Sequence, residues 1–176
     1  MNCRRFLIAL LMVVCPYKVM ALEEQTDTLS ASVEVAPVFR VSLSQPALVF
    51  SSIESGHSEV LGAGPPFHDI ICRSNNGRIW SLRGQVIMLR HAQQPYNLTP
   101  AALEWNLVDI VGRPLASPSH GFTPFSDSAQ VLYVSEGDAV AGREMVLRFQ
   151  YRLTIPPGAP AGNYIGQVVF TMSEDL

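Results

Sequence analysis

Every second residue is apolar over one eleven-residue stretch near the end of this 176-residue chain. The apolar positions are Met145, Leu147, Phe149, Tyr151, Leu153 and Ile155. Only a β-strand has a side-chain period of two. A turn rich in proline and glycine follows at 156–162, and a second strand-like segment covers 163–173. The pattern predicts a β-hairpin with one face of each strand in a core.

A second alternating run lies near the N-terminus. Its apolar odd positions are Leu29, Ala31, Val33, Val35, Pro37, Phe39, Val41 and Leu43. Pro37 has no backbone N–H, which favours a sheet edge or a switch between sheets. Shorter strand candidates lie at 47–51, 67–73, 78–89, 103–110 and 129–134. Because turn residues separate them and no segment has a sustained helical period, we predict an all-β antiparallel sandwich of about eight strands.

The first 21 residues have the features of a secretory signal peptide. Arg4 and Arg5 precede a short apolar stretch at 6–14, and Ala21 is a small residue suited to cleavage. The stretch is shorter than the roughly 20 residues needed to cross a bilayer. We predict a signal at 1–21, a flexible tail at 22–28 and a single β-sandwich domain at 29–176, with no membrane span. The expected location is the periplasm or the extracellular cell surface.

Charge and cysteine content narrow the function further. Removal of Arg4, Arg5 and Lys18 with the signal leaves nine basic and fifteen acidic residues, a net charge of −6. Such a surface disfavours nucleic acid as a partner. Cys72 would be the one remaining cysteine, so the mature chain cannot form an intrachain disulfide. We predict that Cys72 is a buried small apolar residue.

No pattern of residues indicates catalysis. The four histidines lie in separate segments, and none is two or four residues from another. His68 and Asp69 are adjacent, but neighbouring residues of a strand point to opposite faces. The chain also lacks a Gly-x-Ser-x-Gly nucleophile motif. We therefore expect a protein that is not an enzyme and needs no cofactor or metal. A hydrolase with scattered carboxylates ranks last among the alternatives.

The tryptophans are the remaining candidates for a binding role. Trp80 and Leu82 share one face of their predicted strand, and Trp105 lies between Leu103 and Leu107 on a face of another. Core packing is the first interpretation of both tryptophans. The alternative is a carbohydrate-binding module in which an exposed Trp105 lines a sugar-binding face.

One resemblance rests on two separated motifs. The segment 75–82 (Asn-Asn-Gly-Arg-Ile-Trp-Ser-Leu), followed downstream by 160–164 (Pro-Ala-Gly-Asn-Tyr), resembles the WxL-type surface domain of bacteria. Trp80-Ser81-Leu82 matches the first Trp-x-Leu of that family, whereas Phe170-Thr171-Met172 stands where the second is expected. The resemblance implies attachment to cell-wall glycan through the region of Trp80 and Leu82.

A second resemblance concerns the N-terminal run and the ending at 159–169. Both are similar to subunits of alpha-type bacterial fimbriae, which are incomplete Ig-like sandwiches completed by the N-terminal strand of a neighbour. The inserted side chains would be Leu29, Ala31, Val33 and Val35. The alternative is that this strand pairs within its own sheet.

The sequence thus favours a secreted, Ig-like, non-catalytic bacterial protein that serves as a cell-surface or fimbria-associated structural or adhesive component. The expected partners are other surface or fimbrial proteins or cell-wall glycan, in a homo- or hetero-oligomer. The candidate interaction residues are Leu29, Ala31, Val33, Val35, Trp80, Leu82 and Trp105.

Overall fold

The computed structural model describes residues 32–112, 121–135 and 144–174. Contacts separate a unit Val35–Leu176 from the preceding residues. The described residues of this unit form ten strands and one short 3-10 helix, Pro100–Ala102. The strands are β1 (Phe39–Leu43), β2 (Ser58–Leu61), β3 (His68–Ser74), β4 (Trp80–His91), β5 (Asn97–Leu98), β6 (Leu103–Ile110), β7 (Thr123–Pro124), β8 (Gln130–Val134), β9 (Glu144–Thr154) and β10 (Tyr164–Glu174).

The strands belong to two antiparallel sheets. The first has the order β1-β3-β9-β6-β7, and β2 also pairs with β9. The second has the order β10-β4-β5, and β8 also pairs with β4. β9 is the centre of the first sheet because β3 and β2 share one of its edges and β6 occupies the other. β4 has the same position in the second sheet, between β10 on one edge and β8 with β5 on the other.

The core lies between the sheets and is contributed mainly by the two central strands. Its most deeply buried side chains include Trp80, Leu82, Leu147, Phe149 and Tyr151. Those of β9 alternate along the strand, as the period of two predicts. Val86 of β4 is also buried, and the buried neighbours from the rest of the chain include Ile70, Cys72, Leu103, Phe125 and Leu132.

The structure confirms the predicted all-β antiparallel sandwich, with ten strands instead of about eight. The two strands predicted around the turn at 156–162 are confirmed as β9 and β10. The predicted hairpin is wrong, because β9 belongs to the first sheet and β10 to the second, and the two do not pair. The predicted strand at 47–51 is wrong because these residues have no regular secondary structure. In the described part of the run from Leu29, Phe39–Leu43 is a strand on the edge of the first sheet and residues 32–38 have no regular structure. The burial predicted for Cys72 is confirmed.

Candidate functional site

One side of the sandwich is bounded by two strands with unpaired edges. β1 ends the first sheet, β10 ends the second, and among the described residues neither has a partner on its outer side. We call this region the open side, defined by β1 and β10. β10 is eleven residues long, whereas natural edge strands are commonly short or blunted by charge. It is therefore an edge with an unusual length of free backbone.

The core-facing side chains of β1 are incompletely covered. Directly paired residues of neighbouring strands share a face, and the apolar residues of β1 pair with buried residues of β3 in the register Phe39↔Ser74, Val41↔Cys72 and Leu43↔Ile70. Even so, Phe39 remains 39% exposed and Leu43 44% exposed. Two side chains that point toward the core thus retain contact with solvent at the open side.

β10 repeats this arrangement in the second sheet. Its core-facing residues pair with buried positions of β4 in the register Val168↔Val86, Phe170↔Gly84 and Met172↔Leu82. Met172 is buried, but Val168 and Phe170 are only partly covered although both pack against the core. The two strands therefore flank an apolar gap.

The segment Gln45–Phe50, which we call the strap, crosses this gap. Leu48 and Phe50 turn inward and pack against the core, while Val49 between them is 76% exposed. No backbone hydrogen bond within the described structure involves a residue of the strap. It is held just beyond its two ends, where Ser44 N–H donates to Asp69 O at 2.9 Å and Ser51 N–H donates to a Glu59 carboxylate oxygen at 2.9 Å.

A cavity of about 370 Å³ lies beneath the strap. Both sheets contribute to its apolar lining, which includes Leu43, Leu48, Phe50, Ile70, Leu89, Leu98, Leu103, Leu153, Val168 and Phe170. A second cavity of about 820 Å³ continues from it between residues 48–55 and the loop 159–164. The two share Leu48, Phe50, Leu153 and Tyr164 in their walls. The two cavities therefore form one trough along the open side, which is apolar in the first cavity and has serine, glutamate and asparagine in the wall of the second.

Few polar groups reach the first cavity. Burial lowers the pKa of His68, with an opposing contribution from Asp69, so the imidazole is neutral at pH 7. The Asp69 carboxylate is engaged by Arg148, whose Nε and Nη2 atoms donate to it at 2.9 and 3.1 Å. The other residues of the wall that carry polar groups in their side chains are Gln45, Tyr151, Tyr164 and Gln167. The cavity thus has no uncompensated charge in its described lining.

Hydrogen bonds to Asn75 hold the backbone that precedes β1. The Asn75 side chain accepts a hydrogen bond from Val38 N–H at 2.6 Å and donates one to Ala36 O at 2.9 Å. Asn75 N–H also donates to Val38 O at 3.1 Å. At the same end, the Asn76 side-chain amide donates to Glu174 of β10 at 2.6 Å. The backbone at 36–38 is thereby anchored beside the open side.

The opposite end of β10 is fastened by a buried histidine. His91 Nδ1 accepts hydrogen bonds from Gln93 N–H and Gln94 N–H, each at 3.0 Å. The ring proton therefore resides on Nε2, which lies 3.0 Å from Ala161 O and donates to it. The ring also makes an edge contact with Tyr164, at 5.1 Å between centroids. His91 is thus a structural link between β4 and the turn before β10.

The sequence-predicted interaction residues are dispersed in the structure. Leu29 and Ala31 lie outside the described residues, as do the signal and tail predicted at 1–28. Val33 and Val35 are 88% and 74% exposed. Trp80 and Leu82 lie in the core, so neither side chain offers a surface for a partner.

Trp105 faces inward and is half-buried. Its ring lies 6.0 Å from that of Phe149 and 6.5 Å from that of Phe125, so it is not part of an exposed sugar-binding platform. Its buried Nε1 atom has no hydrogen-bond partner among the described residues.

Sequence reasoning misses the residues that shape the trough. The predicted strand at 47–51 would place Leu48 and Phe50 in a ladder, and the pattern of 163–173 makes Val168 and Phe170 ordinary core residues. The one available signal is the position of Leu48 and Phe50 directly after Pro46, since proline interrupts a ladder without ending an extended chain.

Further features and comparisons assign no chemistry to the molecule. The described residues contain no group of three or more His, Cys, Asp or Glu side chains placed to share a metal ion. In the same residues no helix has the length and apolar character required to span a membrane. No protein-family model matches the chain, and no curated protein matches it.

Proposed function

We propose that this protein is a secreted, non-catalytic structural component of a bacterial surface or fimbrial assembly, and that it makes its contacts by accepting an added β-strand at the open side. The observation that carries the proposal is the coincidence of an eleven-residue free edge on β10 with the trough beside it, which is apolar in its first cavity. An extended peptide gains main-chain hydrogen bonds from such an edge and specificity from pockets that take its alternate side chains.

The exposed N-terminal residues provide a suitable strand. In a strand the odd positions Leu29, Ala31, Val33 and Val35 would share one face, and serine or glutamate would occupy the other. Val33 and Val35 are largely exposed on their own chain, so packing in the trough of a neighbouring copy would remove apolar surface from water. The proposal therefore takes the pilin-like form, in which the donated strand is residues 29–35 of another subunit.

The decisive experiment is removal and return of this strand. The mature protein lacking residues 22–36 should fold as a monomer and lose self-association, because it keeps the trough but lacks the donor. A synthetic peptide covering 29–36 should bind this monomer, and the same peptide with Val33→Asp and Val35→Asp should bind at least tenfold more weakly. Sedimentation velocity and calorimetry give the two readouts.

A matched control separates apolar packing from charge. In the full mature chain, Val33→Asp with Val35→Asp adds two carboxylates to the apolar face, whereas Ser30→Asp with Ser32→Asp adds two to the polar face. Only the first pair should abolish assembly. Continued polymerisation of the deletion variant, or equal loss in both pairs, would contradict strand donation.

A further inference from the structure

The cavity beneath the strap is large for a protein interior. Native cores pack about as densely as organic crystals and contain few voids larger than a water molecule. An engineered apolar cavity of roughly 150 Å³ remains dry and binds benzene. The cavity here is about 370 Å³, within the range of roughly 300–1,000 Å³ that is typical of small-molecule sites. At about 30 Å³ per water-sized group, it corresponds to about twelve such groups.

The lining selects the chemistry of an occupant. Leucine, isoleucine, valine and phenylalanine side chains from both sheets form most of the wall. The Asp69 carboxylate lies on the outer face of the first sheet, where it is paired with Arg148, and His68 is neutral at pH 7. A charged head group would find no uncompensated partner of opposite sign in this lining, whereas a hydroxyl can bond to Gln45. The cavity is thus complementary in charge to an uncharged molecule with a long apolar part.

The strap provides an entry route. Gln45–Phe50 makes no backbone hydrogen bonds within the described structure, so it can move aside without breaking a ladder. Leu48 and Phe50 would separate from the core during this motion and return over a ligand. The cost of opening is therefore mainly the exposure of two apolar side chains.

We propose that the cavity beneath the strap binds a neutral, unbranched alkyl-chain molecule, with its chain between the two sheets and its uncharged polar end near Gln45. This site goes beyond the proposed function, since the ligand would occupy the space under the strap in a subunit that holds no donated strand. A single molecule bound there would stabilise the sandwich in the absence of any second subunit.

Calorimetric titration with 1-octanol tests the proposal in the mature chain carrying Val33→Asp and Val35→Asp, because no donated strand fills the trough of this variant. Octanol should bind with a negative heat-capacity change. 1-Hexanol should bind about tenfold more weakly, because each buried methylene contributes about 0.8 kcal/mol. Octanoate at pH 7 should bind more weakly than octanol by at least tenfold. Absence of octanol binding, or equal affinity for octanoate, would overturn the proposal.

Two variants locate the site. Ala47→Phe places a ring at the cavity wall and should weaken octanol binding at least tenfold. Ala129→Phe adds the same ring at an exposed position outside both cavities and should leave the affinity unchanged. Equal affinity in both variants, with the fold intact by circular dichroism, would exclude the cavity as the site.

A direct readout remains if Ala47→Phe does not fold. Methyl NMR signals of Leu48, Leu89 and Leu153, which line the cavity, should shift with octanol, while those of Leu147 in the sealed core should not. The chain with Val33→Asp and Val35→Asp should bind octanol although assembly is lost. This result separates failure of strand donation from failure of the ligand site. Shifts confined to residues outside the cavity would contradict the proposal.

Discussion

The central strands β4 and β9 differ from the flanking strands β1 and β10 in what covers them. Phe149 of β9 is fully buried between neighbouring strands on both edges, whereas Phe39 of β1 faces the same core and remains 39% exposed. The two residues have the same side chain, and both lie in strands of the first sheet. The difference shows that a core-facing side chain is fully buried only where its strand is paired on both edges, whatever the alternation of the strand itself.

The largest expected effect is on the reactivity of the Cys72 thiol, which tests whether the region beside β1 is closed to solvent. Burial raises its pKa from 9.0 to about 12, and it lies on β3 directly beside Val41 of β1. The reactive thiolate is about 1,000-fold scarcer at pH 8 than in an unfolded chain. Native labelling by iodoacetamide should therefore be slower by at least this factor.

The pH dependence of the labelling rate tests the direction of the Cys72 pKa shift. The native labelling rate should keep rising tenfold per pH unit until about pH 12, whereas that of the unfolded chain should level off above about pH 9. The raised pKa stabilises the fold fully below pH 9, and this contribution is lost as the pH approaches 12. Rapid labelling at pH 8 without global unfolding would instead show that β1 detaches easily.

The same truncation, phenylalanine to alanine, compares the central strand β9 with the flanking strand β1. Phe149→Ala should lower the free energy of unfolding by about 3–5 kcal/mol, because it leaves a cavity among fully packed neighbours. Phe39→Ala should cost only about 1–2 kcal/mol, since part of its ring already contacts water. Urea denaturation followed by tryptophan fluorescence gives both values. Equal costs would mean that the open side is covered in solution.

Gly162 tests how β10 is fastened at its start. Its φ is +149°, and a Cβ there would collide with the His91 imidazole. We expect Gly162→Ala to destabilise the protein by about 3 kcal/mol, through backbone strain and overpacking together. Gly112 has φ +83°, but no atom lies near the position of an added Cβ. Gly112→Ala should therefore lower the free energy of unfolding by only about 1 kcal/mol. A loss no greater than that of Gly112→Ala in thermal unfolding would refute the role of His91 as a link.

The smallest expected effect concerns the ion pairs on the outer face of the first sheet. Asp69→Asn removes the bidentate contact with half-buried Arg148 and should cost about 1 kcal/mol. Asp109→Asn, whose carboxylate is 3.8 Å from Arg148 Nη1 and 47% exposed, should cost less than about 0.5 kcal/mol. Raising the salt concentration in urea denaturation should narrow the difference. A reversed order would contradict the assignment of Asp69 as the main partner.

The long strands are predictable from the sequence because their periodicity is local information. The apolar alternation of β9 is visible without any partner, and glycine and proline mark the turn before β10. The two-residue strands β5 and β7 and the four-residue β2 contain too few side chains to show a period. They exist because tertiary pairing with longer strands overrides weak local preference.

The open side is less predictable because it depends on the separation between distant segments. The apolar run at 47–50 suits a strand, but in the folded chain these residues form no ladder with either sheet. Likewise, the exposure of Phe39 depends on β10, which is more than 120 positions away in the chain. Core packing is the correct first interpretation of Trp80 and Trp105, since large aromatic side chains bury most of their surface in either sheet.

The pairing pattern of the sandwich also sets the pace of folding. Ser81 of β4 bonds to Ser173 of β10 across 92 residues, and Asp69 of β3 meets Arg148 of β9 across 79. Topologies dominated by such distant pairings fold in milliseconds to seconds, because the chain loses loop-closure entropy before the stabilising contacts form. Until residues 164–174 arrive, one edge of the apolar strand β4 has no partner and can recruit another chain. Refolding yield should therefore fall as protein concentration rises, even where the native state is stable.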